Sequence, residues 1–302
     1  MERAYLGQTG IRVTRFILGC GNFGGIGSAP ELFGTGESRD EAFALMDAAW
    51  DAGITTFDTA DAYGGGRSES FIGDWLRTKG ADVRDAVVVS TKTFNPMDAG
   101  EDYGLAPARV RRQLESSLRR LGLERVRMYL THAPDPAVPI AETAGVLDEL
   151  VAAGKIGAYG VSNVDGAELR AALAAGAFGW VQNSYSLLDR DVEREVLPLC
   201  AEHGLGFTPF SPLAGGWLTG KYRRGRPAPP GSRMALRPGP YEQFQDDDAV
   251  YDLVEDLERR AAGEGVPTET LALRWLLENP VVTAVILGSR TPAQLEAALR
   301  AL

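Results

Sequence analysis

The chain has 302 residues, 44% hydrophobic and 24% charged, proportions that exclude a disordered, collagen-like or disulfide-stapled protein. Its 41 acidic residues outnumber 31 basic ones, and a net charge of −10 argues against nucleic acid as a partner. Two histidines and two isolated cysteines, Cys20 and Cys200, leave too few ligands for a zinc site, so no functional metal is expected.

Met1-Glu2-Arg3-Ala4-Tyr5 lacks the apolar stretch of a signal peptide, and no apolar run reaches the roughly 18 residues of a membrane span. A cytoplasmic protein with reduced, buried thiols is therefore expected, with no membrane partner. Arg3-Ala4-Tyr5-Leu6 and Ile11-Arg12-Val13 flank Gly7-Gln8-Thr9-Gly10, the pattern of a β-hairpin able to close a barrel floor. Short β-branched runs then end near Leu18, Asp58, Thr91, Thr131, Gly160, Gln182, Thr208 and Leu287. Between and after them, helical periodicity covers about 38–52, 68–79, 107–122, 140–153, 165–175, 190–203, 246–264 with 268–278, and 291–301. Ser38 stands three residues before Glu41, a capping-box spacing, and Pro107 suits a first helical turn. Gly122, Gly154 and Gly204 suit helix ends, and Asp246-Asp247-Asp248 a helix start favoured by the macrodipole. The Pro/Gly/Arg-rich stretch from Tyr222 to Gln245 reads as a functional or disordered loop.

Eight strands, each followed by a helix, is the count of an α/β protein of the (β/α)8 TIM barrel type, here as a single domain over 1–302. Gly19-Cys20-Gly21-Asn22-Phe23-Gly24 fits the dinucleotide fingerprint, but that motif needs a helix opening at its last glycine. Gly25-Ile26-Gly27-Ser28-Ala29-Pro30 cannot start one, so the segment reads as a βα loop whose glycines permit close backbone approach.

Active sites of barrels lie at the carboxyl ends of the strands. Asp58 ends one run and Tyr63 follows five residues later; Lys92 and His132 end the next two. Taken singly these suit a helix cap, a snorkelling lysine and a core histidine. Together at one rim they suit proton transfer to a carbonyl oxygen. Tyrosine, with a pKa of about 10, is a poor acid–base group at neutral pH, and a neighbouring Lys92 ammonium is expected to lower it. Asp58 would hold the lysine charged, and His132 would orient the substrate oxygen or relay a proton. No side chain here supplies electrons, so redox chemistry requires a cofactor.

The chain resembles the aldo-keto reductases over essentially its full length. The likeness is carried by Phe57-Asp58-Thr59-Ala60-Asp61-Ala62-Tyr63-Gly64, Ser90-Thr91-Lys92, His132-Ala133-Pro134-Asp135-Pro136, Gly160-Val161-Ser162-Asn163 and Gln182-Asn183-Ser184-Tyr185-Ser186. Ser211-Pro212-Leu213-Ala214-Gly215-Gly216, Leu218-Thr219-Gly220-Lys221-Tyr222 and Gly288-Ser289-Arg290-Thr291-Pro292 complete it. The resemblance implies a metal-free barrel that reduces aldehydes or ketones with a nicotinamide coenzyme, with Asp58, Tyr63, Lys92 and His132 as catalytic residues and Tyr63 as proton donor. It implies that Ser162, Asn163 and Gln182 bind the nicotinamide amide and that Phe210 stacks on its ring. Cys20, Gly21 and Asp58 would adjoin the coenzyme, and Ser211, Pro212, Leu213, Ala214, Gly215 and Lys221 the pyrophosphate. Gly288, Arg290, Gln294 and Arg233 would meet the adenosine end, where the planar fork of Arg290 suits a 2′-phosphate and favours NADPH over NADH. The likeness departs at Ala297-Ala298, where many members carry Glu-Asn against the adenine and ribose, leaving the arginines to carry the grip.

Asn22, Phe23, Tyr185 and Trp217 are expected near the pocket mouth, as aromatic walls for an aldehyde or ketone with an apolar or sugar-like body. Trp180 reads as core. The absence of an obvious apolar patch favours a monomer. Two rival functions stand beside carbonyl reduction: a nicotinamide-binding sensor or regulatory subunit, like the resembling potassium-channel β-subunits, and a barrel lyase or isomerase using Lys92 as a Schiff-base nucleophile.

Overall fold

The computed structural model describes residues 1–100 and 102–302. Its first two strands, β1 (Arg3–Tyr5) and β2 (Arg12–Thr14), pair antiparallel with Tyr5 opposite Arg12. The turn between them lies on the barrel's amino-terminal face: a Cβ on Gly7, φ +52°, would sit 2.4 Å from the Gly206 amide nitrogen. Leu6 and Val13 are buried there, so the hairpin seals the floor as its sequence pattern predicts.

Eight parallel strands follow: β3 (Phe16–Gly19), β4 (Thr56–Asp58), β5 (Val88–Thr93), β6 (Val126–Thr131), β7 (Ile156–Ser162), β8 (Trp180–Gln182), β9 (Gly206–Phe207) and β10 (Val285–Leu287). They lie in the order β10-β3-β4-β5-β6-β7-β8-β9. Backbone bonds from the Thr283 amide to the Phe207 carbonyl (2.8 Å) and from Ile286 to Pro209 (3.0 Å) close the ring. The two-residue period of the strands sorts the core. Ile17, Val88, Met128, Leu130 and Ile286 join Trp180 and the hairpin inside the barrel. Their neighbours Phe16, Leu18, Val89 and Tyr129 point outward into the larger cluster beneath the helices. Both faces are buried, which is why the strands read as near-continuous apolar runs.

The helix Arg39–Asp51 begins with a complete Ser38–Glu41 capping box, and Pro107–Leu121 starts on its proline and ends at left-handed Gly122. The helix expected over 190–203 is instead a single turn, Asp191–Glu193, followed by Val196–His203. Pro198 explains the break, since its missing amide is tolerated only in a first turn. The stretch 222–245 holds a short helix, Arg233–Leu236, and a 3-10 segment, Gly239–Asp246, each too short to complete a readable period. Met234 and Phe244 pack there with Trp217, Tyr222 and the helix Asp248–Glu264 in a second apolar cluster. Strands β5 and β7 run two residues beyond their expected ends, which puts Lys92 and Ser162 inside the hydrogen-bonded ladder.

Candidate active site

The register of β3, β4 and β5 aligns the strand ends at one rim, with Gly19 opposite Asp58 and Asp58 opposite Ser90. Lys92, fully enclosed on β5, donates to Asp58 Oδ2 at 2.6 Å and to the Thr59 carbonyl at 2.8 Å. Its Nζ lies 3.4 Å from the Tyr63 hydroxyl and 4.9 Å from the centre of the Tyr63 ring. Gln182 at the end of β8 donates to the other Asp58 oxygen at 3.0 Å. Both carboxylate oxygens are thus engaged, and Asp58 fixes the ammonium rather than facing open space.

Tyr63 begins a one-turn 3-10 segment, Tyr63–Gly66, in which Gly64, Gly65 and Gly66 are all left-handed. The loop after β3 packs backbone to backbone on this turn: a Cβ on Gly25 would lie 2.7 Å from Gly64 Cα, and one on Gly64 would lie 2.7 Å from the Phe23 carbonyl oxygen. The fingerprint-like glycines therefore serve contact with the tyrosine turn, and no helix opens at Gly24. Gly21 faces the ring itself, where a Cβ would be 3.6 Å from Tyr63 Cε2.

His132 follows β6 directly. Its Nε2 lies 3.4 Å from the Tyr63 hydroxyl, and the two rings meet edge to face at 5.4 Å. The Asn95 side-chain amide sits 3.1 Å from Nδ1, and the Asn163 amide donates to the His132 carbonyl at 2.8 Å. With the Asn95 NH2 donating to Nδ1, the ring carries its proton on Nε2. Burial, then the Lys92 charge, pushes the His132 pKa well below its ordinary value, so the ring is neutral.

The electrostatics differ from expectation at the tyrosine. Burial raises the Tyr63 pKa by more than the adjacent Lys92 lowers it. Lys92, which burial alone would lower, is held above its usual pKa by Asp58 and Tyr63. The phenol is therefore neutral and the ammonium charged. The tyrosine oxygen faces two donors, Lys92 Nζ and His132 Nε2, so its own hydrogen is free for a third partner.

The residues expected at the coenzyme fall into distinct environments. Ser162 and Gln182 are buried at the ends of β7 and β8, and Asn163 is exposed beside them. Phe210 follows β9 and bridges to Ser184. Asn163, Ser211 and Ala214 are the non-glycine residues with positive φ among the described residues, and all three belong to the expected set. Such strained backbone concentrates at ligand sites. Pro212 is buried and Leu213 half-buried beside them. The Ser211 hydroxyl bonds that of Tyr241 at 2.6 Å. A Cβ on Gly215 would strike Tyr241 at 2.6 Å, and one on Gly216 would fall 2.4 Å from Lys221 Nζ. A cavity of about 430 Å3 lies here, with Asn163, Ser184, Phe210, Ser211 and Tyr241 among its walls.

Arg233 is half-buried over the Tyr241 ring, 5.8 Å from its centre, and its Nε is buried without a partner. Arg290 donates from Nε to Glu37 Oε1 at 2.5 Å and from a terminal nitrogen to the Gly231 carbonyl at 3.0 Å. Gln294 accepts from the Arg290 amide at 2.9 Å, and Gly288 is exposed with nothing near its missing Cβ.

Several expectations need correction. Tyr185 is 1% exposed, packs on Phe207 and Trp275, and donates to Glu193 at 2.7 Å, so it is core and not pocket wall. Trp217, also 1% exposed, stacks among Tyr222, Phe244 and Tyr251 in the second cluster. Phe23 is enclosed as well, leaving half-buried Asn22 as the expected pocket residue with open surface. Cys20 is fully enclosed, its thiol pKa raised by burial, and its amide donates to the Asp58 carbonyl at 2.8 Å. Sequence reasoning missed Asn95, Tyr241 and Glu37. Asn95 lies two residues past the end of β5, a position that could have flagged it; the other two carry no local signal.

The sequence profile of the Aldo/keto reductase family matches residues 16–302. The uncharacterized oxidoreductase YrpG of Bacillus subtilis (strain 168) is 37% identical over 100% of this chain and 91% of its own length. The NADH-specific methylglyoxal reductase of Escherichia coli (strain K12) is 33% identical over 100% of this chain and 94% of its own. The glycerol dehydrogenase AKR11B4 from Gluconobacter oxydans superposes with a TM-score of 0.83 at 27% identity, covering 99% of this chain and 90% of that one.

Proposed function

The chain belongs to the aldo/keto reductase family and is an NAD(P)H-dependent oxidoreductase; from that premise we propose that it reduces an aldehyde or ketone to the alcohol, with Tyr63 as the proton donor. The observation that carries this reading is the tyrosine oxygen facing Lys92 Nζ and His132 Nε2, each at 3.4 Å.

When bound, the nicotinamide supplies the hydride that adds to the carbonyl carbon. The protein's own part is proton handling. Tyr63 gives its hydroxyl hydrogen to the carbonyl oxygen as negative charge develops there. Lys92, locked by Asp58 and the Thr59 carbonyl, stabilises the phenolate left behind, and the neutral His132 adds a second hydrogen bond. The high resting pKa of Tyr63 keeps it protonated before the reaction, and the two donors ease the loss of that proton during it.

The residues present fit a dinucleotide. The unpartnered Arg233 Nε is a buried cationic donor lacking an acceptor, which a phosphate oxygen would supply. Burial lowers the pKa of both Lys221 and Arg233, and the Arg290 charge lowers each further, so three cations share one region of positive potential. We assign Lys221 and Arg233 to the phosphates, Arg290 to the adenosine end, Ser162, Asn163 and Gln182 to the nicotinamide amide, and Phe210 to its ring. That surplus of positive charge favours NADPH over NADH. A relative that is NADH-specific means that coenzyme choice rests on such local groups and not on the family alone. The substrate is read as a small carbonyl compound, and the chain as one barrel unit whose described residues include no helix long and apolar enough to cross a membrane.

The test mixes purified protein with NADPH and a reactive aryl aldehyde and follows the absorbance of the reduced nicotinamide. Turnover that Tyr63→Phe lowers by about 10²–10⁴-fold, with NADPH still bound, is expected for a general acid. Equal turnover in wild type and Tyr63→Phe would overturn the assignment. NADPH binding without turnover on any carbonyl would favour the sensor reading.

A further inference from the structure

Among the cations assigned to the coenzyme lies one acid whose presence the proposed reaction does not use. Glu37 is in the loop joining β3 to the helix Arg39–Asp51, far in sequence from Arg290, which follows β10. Closure of the ring makes β3 and β10 neighbours, and so brings the two loops together. The Glu37 amide donates to the Asn22 carbonyl and its carbonyl accepts from Gly24, both at 2.8 Å, so the backbone is pinned on both sides. The residue is only 4% exposed; Oε1 accepts from Arg290 Nε at 2.5 Å, and Oε2 is buried with no partner.

An unmet buried carboxylate oxygen is costly and is rarely left idle. Burial raises the Glu37 pKa, and the Arg290 guanidinium opposes that rise. The same contact changes what Arg290 can offer. A guanidinium holds a phosphate best with a two-donor edge. Here Nε is bound to Glu37 and one terminal nitrogen to the Gly231 carbonyl, so every edge of the fork that includes either is already in use. A 2′-phosphate that takes a two-donor edge of Arg290 therefore shares that edge with Glu37 or with the Gly231 carbonyl.

We propose that Glu37 is a coenzyme-discriminating residue, which competes with a 2′-phosphate for Arg290 and offers its open oxygen to a ribose hydroxyl. The proposal rests on the coenzyme reading above and deepens it: Glu37 narrows a preference for NADPH that Arg290 alone would make large.

The test measures dissociation constants calorimetrically for NADP and NAD, and for the fragments adenosine 2′,5′-bisphosphate and adenosine 5′-monophosphate, which report on the adenosine end without turnover. In Glu37→Gln, a near-isosteric change that leaves the pinned backbone alone, the 2′-phosphorylated ligands should tighten on the order of tenfold, while NAD and the monophosphate hold or weaken. Arg290→Gln should bring NADP close to NAD, and adding Glu37→Gln to it should recover much less than tenfold. A ratio unmoved in Glu37→Gln, equal weakening of all four ligands, or an undiminished gain without Arg290 would each overturn the proposal while leaving the reductase reading intact. Wild-type protein that binds neither NADP nor NAD would instead remove the coenzyme reading, and the proposal with it.

Discussion

At the residue scale, Tyr63, Lys92 and His132 each owe their chemical state to a neighbour at hydrogen-bond distance. Asn95 illustrates how far that reaches. Its amide fixes the tautomer of His132, and with it the donor that faces Tyr63. Asn95→Ala should lower kcat/KM about tenfold by freeing the ring to place its proton on Nδ1. Coenzyme affinity should be unchanged, and the 15N chemical shifts of His132 should move toward the other tautomer. Unchanged ring shifts would show that Asn95 has no such part. The sequence made the four proposed catalytic residues legible because each ends or closely follows an apolar run at the same rim. It did not reveal the direction of the Tyr63 pKa, because the degree of enclosure that outweighs Lys92 comes from the loop after β3 folding over the ring.

At the scale of elements, the helix Arg67–Arg77 crosses Pro107–Leu121 at a point where the chains nearly touch. A Cβ on Gly73 would fall 2.2 Å from the Arg120 carbonyl oxygen. In an exposed helix, alanine for glycine gains up to about 1 kcal/mol of helix propensity. Here the clash is with backbone, so Gly73→Ala should instead cost about 1–3 kcal/mol in denaturant unfolding. A stabilised variant would mean the helices separate easily. The shift would reach the site, because Glu69 on the first helix accepts from Arg120 on the second at 2.7 Å and from Thr91, next to Lys92, at 2.5 Å. Helix boundaries were readable wherever caps and prolines mark them, as at Ser38, Pro107 and Gly122. They failed where a proline divides a periodic stretch, as Pro198 does, or where an element spans a single turn, as Arg233–Leu236 does.

At the scale of the whole molecule, stability should carry the mark of polar groups enclosed between barrel and helices. Asp61 is fully buried, accepts from Thr93 at 2.7 Å through one oxygen, and leaves the other unpartnered. Burial and then the Glu69 charge raise its pKa to about 7, against the lowering effects of Thr93, Arg109 and Arg120. A raised folded-state pKa means that the native protein holds this proton where the unfolded chain has released it. The contribution is fully present below the unfolded value near pH 4 and is lost as pH rises through about 7. Asp61→Asn should therefore gain on wild type between pH 5 and pH 8 by roughly 2 kcal/mol in unfolding free energy. A difference between the two proteins that stays flat across that range would refute the shift. His132 acts in the opposite sense: its depressed pKa makes stability fall as pH drops below about 6.5, where only the unfolded chain takes the proton.

The sequence by itself determined the alternation of strands and helices and the hairpin on the floor, and it pointed to the four proposed catalytic residues and most of the loops assigned to the coenzyme. All of these are written in local periods, caps and short motifs. Only the tertiary structure decided that Tyr185 and Trp217 are core, that the glycines after β3 serve the tyrosine turn, and that Arg290 is held by Glu37. Each of those depends on segments between about 30 and 250 residues apart in the chain, joined by the barrel's closure and by the packing of loops across its rim. The alternation of side chains along one segment carries no record of such contacts.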